Sequence, residues 1–187
     1  KVSGVEIKTF EDLKEALNIR LDYFADHGCS VSDHALEYVM YVPATAEEIE
    51  AIFAKRLNKE DITKEEELKF KTAFMQFVAK QYHKRDWVMQ IHYGCRRDNN
   101  TPYYKRLGPD TGYDCINNYA PSAQTADFLN SLIASNELPK TILYSLNPND
   151  NAILDTIIGC FQDDSAIGKI QHGSCLLYTS PSPRDST

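Results

Sequence analysis

The sequence predicts an α/β fold in which parallel strands alternate with helices. Two kinds of segment support this prediction. Compact apolar or β-branched runs such as "WVMQIHY" and "KTILYSL" recur, and amphipathic stretches with helical spacing lie between them. Such alternation is typical of parallel β/α units, because two parallel strands need a crossover connection. The 187 residues, 42% of them hydrophobic, suffice for one substantial core.

Caps and apolar stripes mark the helical segments. Thr9 with Asp12, Thr45, and the capping box "TKEE" at Thr63 predict three helix starts. The stripes expected on these helices are Leu13, Leu17, Leu21 and Phe24, then Ile49, Ile52, Phe53 and Leu57, and finally Phe70, Phe74, Phe77 and Val78. The phenylalanine stripe indicates core packing rather than a ligand site. Two further helices are predicted at residues 122–136 and 151–158.

The remaining segments predict strands and loops. "CSVSDHAL" reads as a strand end plus loop, and "GKIQHGS" contains a last strand. The strand that begins at Trp87 ends near His92, and a polar loop from Arg96 to Asn100 follows. The stretch with "LGPDTGYD" is predicted to be irregular. Functional groups of parallel β/α folds collect after the carboxyl ends of strands, so the loop after His92 is a candidate site wall.

Composition excludes several classes of partner. The net charge of −7 argues against a nucleic-acid surface, which needs excess lysine and arginine. No apolar run approaches the roughly 20 residues that span a bilayer, so no membrane association is expected. The five cysteines lie far apart in the sequence. Without a secretion signal they are best interpreted as free thiols of a cytoplasmic protein.

His92 is the sharpest candidate for chemistry. A histidine can exchange protons near neutral pH or ligate a metal, but from spacing alone a core histidine bonded to a backbone carbonyl is the more common outcome. Arg96 and Arg97 could clamp a carboxylate, and Asn99 and Asn100 could bond hydroxyls. A solvated polar loop explains the same residues, so both interpretations stay open on chemistry alone.

"HGCSVSDH" places four potential metal ligands within eight residues: His27, Cys29, Asp33 and His34. Their spacing matches no standard metal site. We therefore favour a different interpretation, in which Asp33 and His34 line a shared pocket after a strand.

Six stretches of the chain resemble uronate isomerase, the glucuronate isomerase family of the amidohydrolase superfamily. They are "RLDYFADHGCSVSDHAL", "WVMQIHYGCRRDNN", "LGPDTGYDCINN", "KTILYSLNPNDN", "IIGCFQ" and "GKIQHGS", in the family's order. The resemblance implies an eight-stranded β/α barrel, so we expect a partial (β/α) TIM-type barrel without the first and last strands. It also implies interconversion of D-glucuronate with D-fructuronate, and of D-galacturonate with D-tagaturonate, by proton transfer through an enediol.

Matched position by position, the resemblance assigns His92 to catalysis, close to the metal or in contact with substrate. Arg97 and Asn99 match the family's substrate-binding loop, and Asp33 and His34 match its "SDH". The chain also departs from the family at three positions. Asp98 and Cys160 stand where asparagine is common, and Arg96 replaces an apolar residue.

The resemblance covers about the third quarter of the family's length, so we expect a fragment that is inactive alone. The family's His-x-His and final aspartate are missing, and no metal ligand is assigned here. A divalent metal, zinc by expectation, and a homo-oligomer belong to the complete enzyme. Alternatives are a metal-dependent hydrolase of the same superfamily or a non-catalytic truncated product. Residues 1–174 are expected to form the partial barrel, and 175–187 to be a non-native tail that resembles a translated sequencing adapter.

Overall fold

Four parallel strands and the helices between them organise the chain. The computed structural model describes residues 2–119 and 121–173. The strands of the main sheet are β1 (Val31–Ala35), β2 (Val88–Tyr93), β5 (Lys140–Ser145) and β6 (Ile170–His172), and they lie side by side in the order β1-β2-β5-β6. All three pairings are parallel. The α/β prediction is confirmed.

Helices precede the first strand and carry the crossovers between the strands. Helix α1 (Phe10–Asp26) precedes β1, and the crossovers contain α2 (Ala46–Leu57), α3 (Lys64–Lys84), α4 (Thr101–Leu107), α5 (Ser122–Ile133) and α6 (Asn151–Cys160). A 3-10 turn at Pro148–Asp150 precedes α6. Two short strands, β3 (Cys95–Arg96) and β4 (Cys115–Ile116), pair antiparallel beyond the end of β2. Among these elements no helix is long and apolar enough to cross a membrane.

The three predicted helix starts are confirmed, each by a complete capping box. Thr9, Thr45 and Thr63 each accept a hydrogen bond from the backbone three residues on, and the acidic side chain there bonds back to the cap. The two bonds satisfy amides that the first helical turn leaves without partners. The later ends were predicted less well, because α5 ends at Ile133 rather than at residue 136, and α6 continues to Cys160.

Side chains of the main sheet alternate between a helix-covered face and a more open face. Met89, Ile91 and Tyr93 of β2 are buried, whereas the residues between them are only half-buried. The buried face packs on helices around Val78, Phe128 and other apolar residues of one core cluster. In β2, period-two alternation thus places the hydrophobic residues Met89, Ile91 and Tyr93 against the helices and leaves Gln90 and His92 on the other face.

A second, smaller cluster joins the three amino-terminal helices. Phe10, Ile49 and Ile52 are buried there, with Phe53 and Phe70 packed against them. The phenylalanine stripe of α3 therefore packs in the interior, as predicted. Two predicted stripe positions differ: Phe24 and Leu57 are each 44% exposed. Each lies near the carboxyl end of its helix, and its exposure places it at the rim rather than within the core.

The segment after β2 is more ordered than a polar loop. Arg96 belongs to β3 instead of the loop, and Asn100 caps α4 through a hydrogen bond from the Tyr103 amide. The predicted irregular stretch supplies β4, which returns to pair with β3. Both strands have only two residues, and so short a run carries no periodicity by which the sequence could predict it.

Candidate functional site

The candidate site lies where β1, β2 and β5 end. Ala35 pairs with His92 and His92 pairs with Tyr144, so these three residues share one face at the carboxyl edge of the sheet. Asp33, two residues before Ala35, points to the same face. Together with Arg97 they line a cavity of about 510 Å³. Cavities of roughly 300–1,000 Å³ are usual for small-molecule sites.

His92 is held on two sides. Its Nδ1 lies 2.7 Å from Asp33 Oδ1, and its ring stacks on Tyr144 with centroids 4.2 Å apart and an interplanar angle of 8°. A carboxylate only accepts hydrogen bonds, so Nδ1 carries the proton and Nε2 is the nitrogen that can accept one. The hydrogen bond to Asp33 fixes the tautomer of the imidazole, and the stacking on Tyr144 fixes its plane. A general base needs both, because its free nitrogen must face the proton that it removes.

Arg97 brings a positive charge to the same cavity. Its Nη1 donates to Asp114 Oδ2 at 2.9 Å and to Asp110 Oδ1 at 3.3 Å. Asp114 also accepts the Asp98 backbone N–H at 2.9 Å. That backbone bond, and next the charge of Arg97, hold the pKa of Asp114 below its ordinary value. The cation therefore lies beside a carboxylate that stays ionised.

Asn99 binds its own loop rather than lining the cavity. Its Nδ2 donates to Arg96 O at 2.7 Å and to Tyr113 O at 3.1 Å. A second connection runs from the Asn99 backbone N–H to Tyr113 O at 2.9 Å. The side chain thus fastens the segment before α4 to the segment before β4. Its predicted contact with substrate stays a prediction.

His34 does not share a pocket with Asp33, which corrects the interpretation of "SDH". Neighbouring residues of a strand point to opposite faces, and His34 lies on the face that α3 covers. Its Nε2 is 2.9 Å from Tyr82 Oη, and burial lowers the pKa of its imidazole. The alternation rule applied to "VSDHA" was the signal that could have separated the two residues.

Tyr144, Cys95 and Asp114 are among the cavity residues that the sequence prediction did not assign to the site. Tyr144 lies within "KTILYSL" at the position that pairs with His92, and burial raises the pKa of its phenol. Cys95 and Asp114 come from the β3–β4 region. Burial and then the charge of Asp114 raise the pKa of the Cys95 thiol, which disfavours a reactive thiolate. Of the three, only Tyr144 had a signal in the sequence, because the alternation of side chains along "KTILYSL" places it on the face opposite Leu143.

The residues described do not by themselves form a metal centre. Within ranges 2–119 and 121–173, no three His, Cys, Asp or Glu side chains converge where an ion could be held. The cluster of His27, Cys29, Asp33 and His34 is separated, because His27 bonds Tyr23 O near the end of α1 and His34 bonds Tyr82. The Asp33–His92 pair offers two possible metal ligands, one carboxylate and one imidazole. A usual catalytic zinc site has three protein ligands.

The fold and the cavity define a parallel β/α protein of the barrel type, with its polar pocket at the carboxyl ends of the strands. A model of the glucuronate isomerase family matches residues 1–180. The chain belongs to this family, as its motifs predicted.

Relatives and solved structures agree with this assignment. A uronate isomerase from Lachnospira eligens is 65% identical over 177 residues, which are 95% of this chain and 38% of that protein. A uronate isomerase from Lachnoclostridium phytofermentans is 61% identical over 177 residues, which are again 95% of this chain and 38% of that protein. The crystal structure of uronate isomerase from Thermotoga maritima covers 91% of this chain, with a TM-score of 0.82 and 27% identity, and 36% of that chain is matched. The partial-barrel prediction is confirmed, and the chain is a fragment that spans about 38% of the length of these curated relatives.

Proposed function

We propose that the complete protein interconverts aldose and ketose uronates, D-glucuronate with D-fructuronate and D-galacturonate with D-tagaturonate. Family membership supports the reaction class. The observation that carries the proposal in this chain is the cavity that brings the His92–Asp33 pair and Arg97 together. A uronate has a carbonyl end whose neighbouring proton must move and a carboxylate end that needs a cation, and the cavity offers a group for each.

His92 is proposed to transfer the proton. Nε2 takes a proton from the hydroxyl-bearing carbon next to the aldehyde, and the electron pair moves to form an enediolate with its negative charge on the former aldehyde oxygen. That oxygen takes the proton of the neighbouring hydroxyl group, whose oxygen becomes the new carbonyl oxygen. Nε2 then delivers a proton, which exchanges with solvent in the meantime, to the former aldehyde carbon, and the ketose forms without net loss of atoms or charge. Asp33 stabilises the imidazolium formed in between through the 2.7 Å bond to Nδ1. Tyr144 keeps the ring in plane by stacking.

Arg97 is proposed to receive the substrate carboxylate, and a contact of Asn99 with the sugar hydroxyls stays a prediction of the family resemblance. Guanidinium groups bind carboxylates through two parallel hydrogen bonds, which gives direction as well as charge. His34 has no place in this scheme, since it lies on the other face of the sheet. By the family resemblance a divalent metal, zinc by expectation, belongs to the complete protein, but the described residues do not form its site.

The test uses the complete protein encoded by the source gene. Isomerisation of D-glucuronate in heavy water is followed by NMR, and His92→Asn is compared with His172→Asn. His172 is the matched control, because its Nδ1 also bonds an aspartate, Asp155, at 2.9 Å but it does not line the cavity. We expect deuterium in the ketose, a fall of kcat by roughly 10²–10⁴ for His92→Asn, and little change for His172→Asn.

Three outcomes would contradict the proposal. Turnover of ester or amide substrates without turnover of uronates would indicate the hydrolase alternative of the superfamily. Glucuronate binding without any turnover would indicate a non-catalytic protein. Full activity of His92→Asn would remove His92 from the mechanism while leaving the reaction itself intact.

We also propose that the complete protein acts in the cytoplasm. The four cysteines in the described part of the chain are free thiols, which supports a reducing compartment. A homo-oligomeric state stays a prediction, as does the non-native character of residues 175–187, which lie outside the described residues.

A further inference from the structure

Asp114 holds two parts of the cavity wall at once. Its Oδ1 accepts the Asp98 backbone N–H at 2.9 Å, and its Oδ2 accepts Nη1 of Arg97, also at 2.9 Å. The carboxylate of Asp114, directly before β4, thereby fixes both the backbone at Asp98 and the side chain of Arg97 in the loop after β3. The Asp98 carboxylate completes the connection by accepting the Asp110 backbone N–H at 3.2 Å.

The other carboxylate beside Arg97 is placed differently. Asp110 is bonded to the same Nη1, but at 3.3 Å, and its side chain is 85% exposed, whereas that of Asp114 is 24% exposed. Water screens an exposed pair strongly and lets its side chain move away. Asp114 is restrained by its backbone bond, so of the two it alone can define where the guanidinium lies.

The geometry of Arg97 leaves donors for a ligand. A guanidinium has five N–H groups, and within the described residues only Nη1 is engaged. The side chain itself is about half exposed, so without a partner it would sample many rotamers. A fixed orientation reduces the rotamer entropy lost when a ligand binds.

We propose that Asp114 is a positioning residue, which holds the Arg97 guanidinium in the orientation that receives the carboxylate of a sugar acid. This inference rests on the proposed function and deepens it. It assigns a role to the second aspartate of "LGPDTGYD", which the proton transfer itself does not use. Asp114 acts through Arg97 and does not touch the reacting carbons.

The experiment compares variants of the complete protein in kinetics and in calorimetric titration with D-glucuronate. Asp114→Asn keeps an oxygen for the Asp98 amide but removes the charge that faces Arg97. We expect KM and Kd to rise about tenfold while kcat changes less than about twofold. Asp110→Asn is the matched control, with the same chemistry at the same nitrogen, and is expected to change Kd less than about twofold.

A double-mutant cycle separates positioning from a general effect of charge. In an Arg97→Ala background, Asp114→Asn should weaken glucuronate binding no further, because Asp114 acts only through the arginine. A full additional loss in that background would overturn the proposal, as would equal losses for Asp110→Asn and Asp114→Asn. Should Asp114→Asn fail to fold, Asp114→Glu keeps the charge but displaces it by one methylene. An unchanged Kd for that variant would also overturn the proposal.

Failure of the proposed function gives a different pattern. If the wild-type protein binds glucuronate with the expected cycle but does not isomerise it, the reaction is wrong and the positioning role stands. If it isomerises glucuronate and Asp114→Asn leaves KM and Kd unchanged, the positioning role is wrong and the reaction stands. Absence of both binding and turnover overturns both.

Discussion

Replacing Gly94 by alanine is expected to destabilise the chain far more than the same replacement at Gly28. Both glycines have left-handed backbone angles, with φ of 81° and 83°. An L-residue with a side chain is strained there by about 1–2 kcal/mol. The two sites differ in space, because a Cβ at Gly28 would meet nothing within 4 Å. At Gly94 it would lie 2.9 Å from Ser145 Oγ and 3.3 Å from the Leu146 nitrogen.

Ser145 cannot easily move aside. Its Oγ donates to Asp150 Oδ2 at 2.7 Å and accepts the Asn147 backbone N–H at 3.1 Å, and all three residues are buried. Forcing a methyl group into such a site adds about 1–3 kcal/mol. The free energy of unfolding should therefore fall by about 2–5 kcal/mol for Gly94→Ala and by about 1–2 kcal/mol for Gly28→Ala.

Urea unfolding at low protein concentration measures the difference. Trp87 is the one tryptophan of the chain and is 4% exposed directly before β2, so its fluorescence reports on the core. With a slope of about 2 kcal/mol per molar urea, the midpoint for Gly94→Ala should lie roughly 0.5–1.5 M below that for Gly28→Ala. Equal midpoints for the two variants would show that Ser145 and Leu146 do not crowd Gly94, and would refute the reasoning.

Two further predictions concern stability. Thr63→Ala should lower the free energy of unfolding by about 1 kcal/mol, because α3 loses its side-chain cap, whereas Thr63→Ser should retain most of that stability. Thermal unfolding of both variants measures the two losses, and equal losses would contradict the capping role. His34 has its pKa lowered in the folded chain by burial, so the unfolded state binds the proton more readily. The stability that the neutral imidazole contributes is present above its ordinary pKa of about 6.5 and is lost as the pH falls below that value. His34→Gln should therefore lose stability less steeply than the wild type between about pH 7 and pH 5. Parallel pH profiles would contradict this.

Much of the fold was predictable because its signals are local. A capping threonine and its acidic partner lie three residues apart, and an apolar stripe repeats within one or two turns, so the helices of the first half of the chain were predicted with their starts. The strands at "WVMQIHY" and "KTILYSL" were marked by compact β-prone runs. The β3–β4 pair was missed because each strand has only two residues, too few for the two-residue period of a strand to repeat.

The amino-acid sequence alone identified the segments, their alternation, the family and His92 as the residue of interest. The tertiary structure decided which side chains meet. Asp33 reaches His92 across 59 residues and Asp114 reaches Arg97 across 17, while His34, adjacent to Asp33, lies on the other face of the sheet. These contacts depend on strand order and register. Register is set by packing over the whole sheet, whereas a motif specifies only its own few residues.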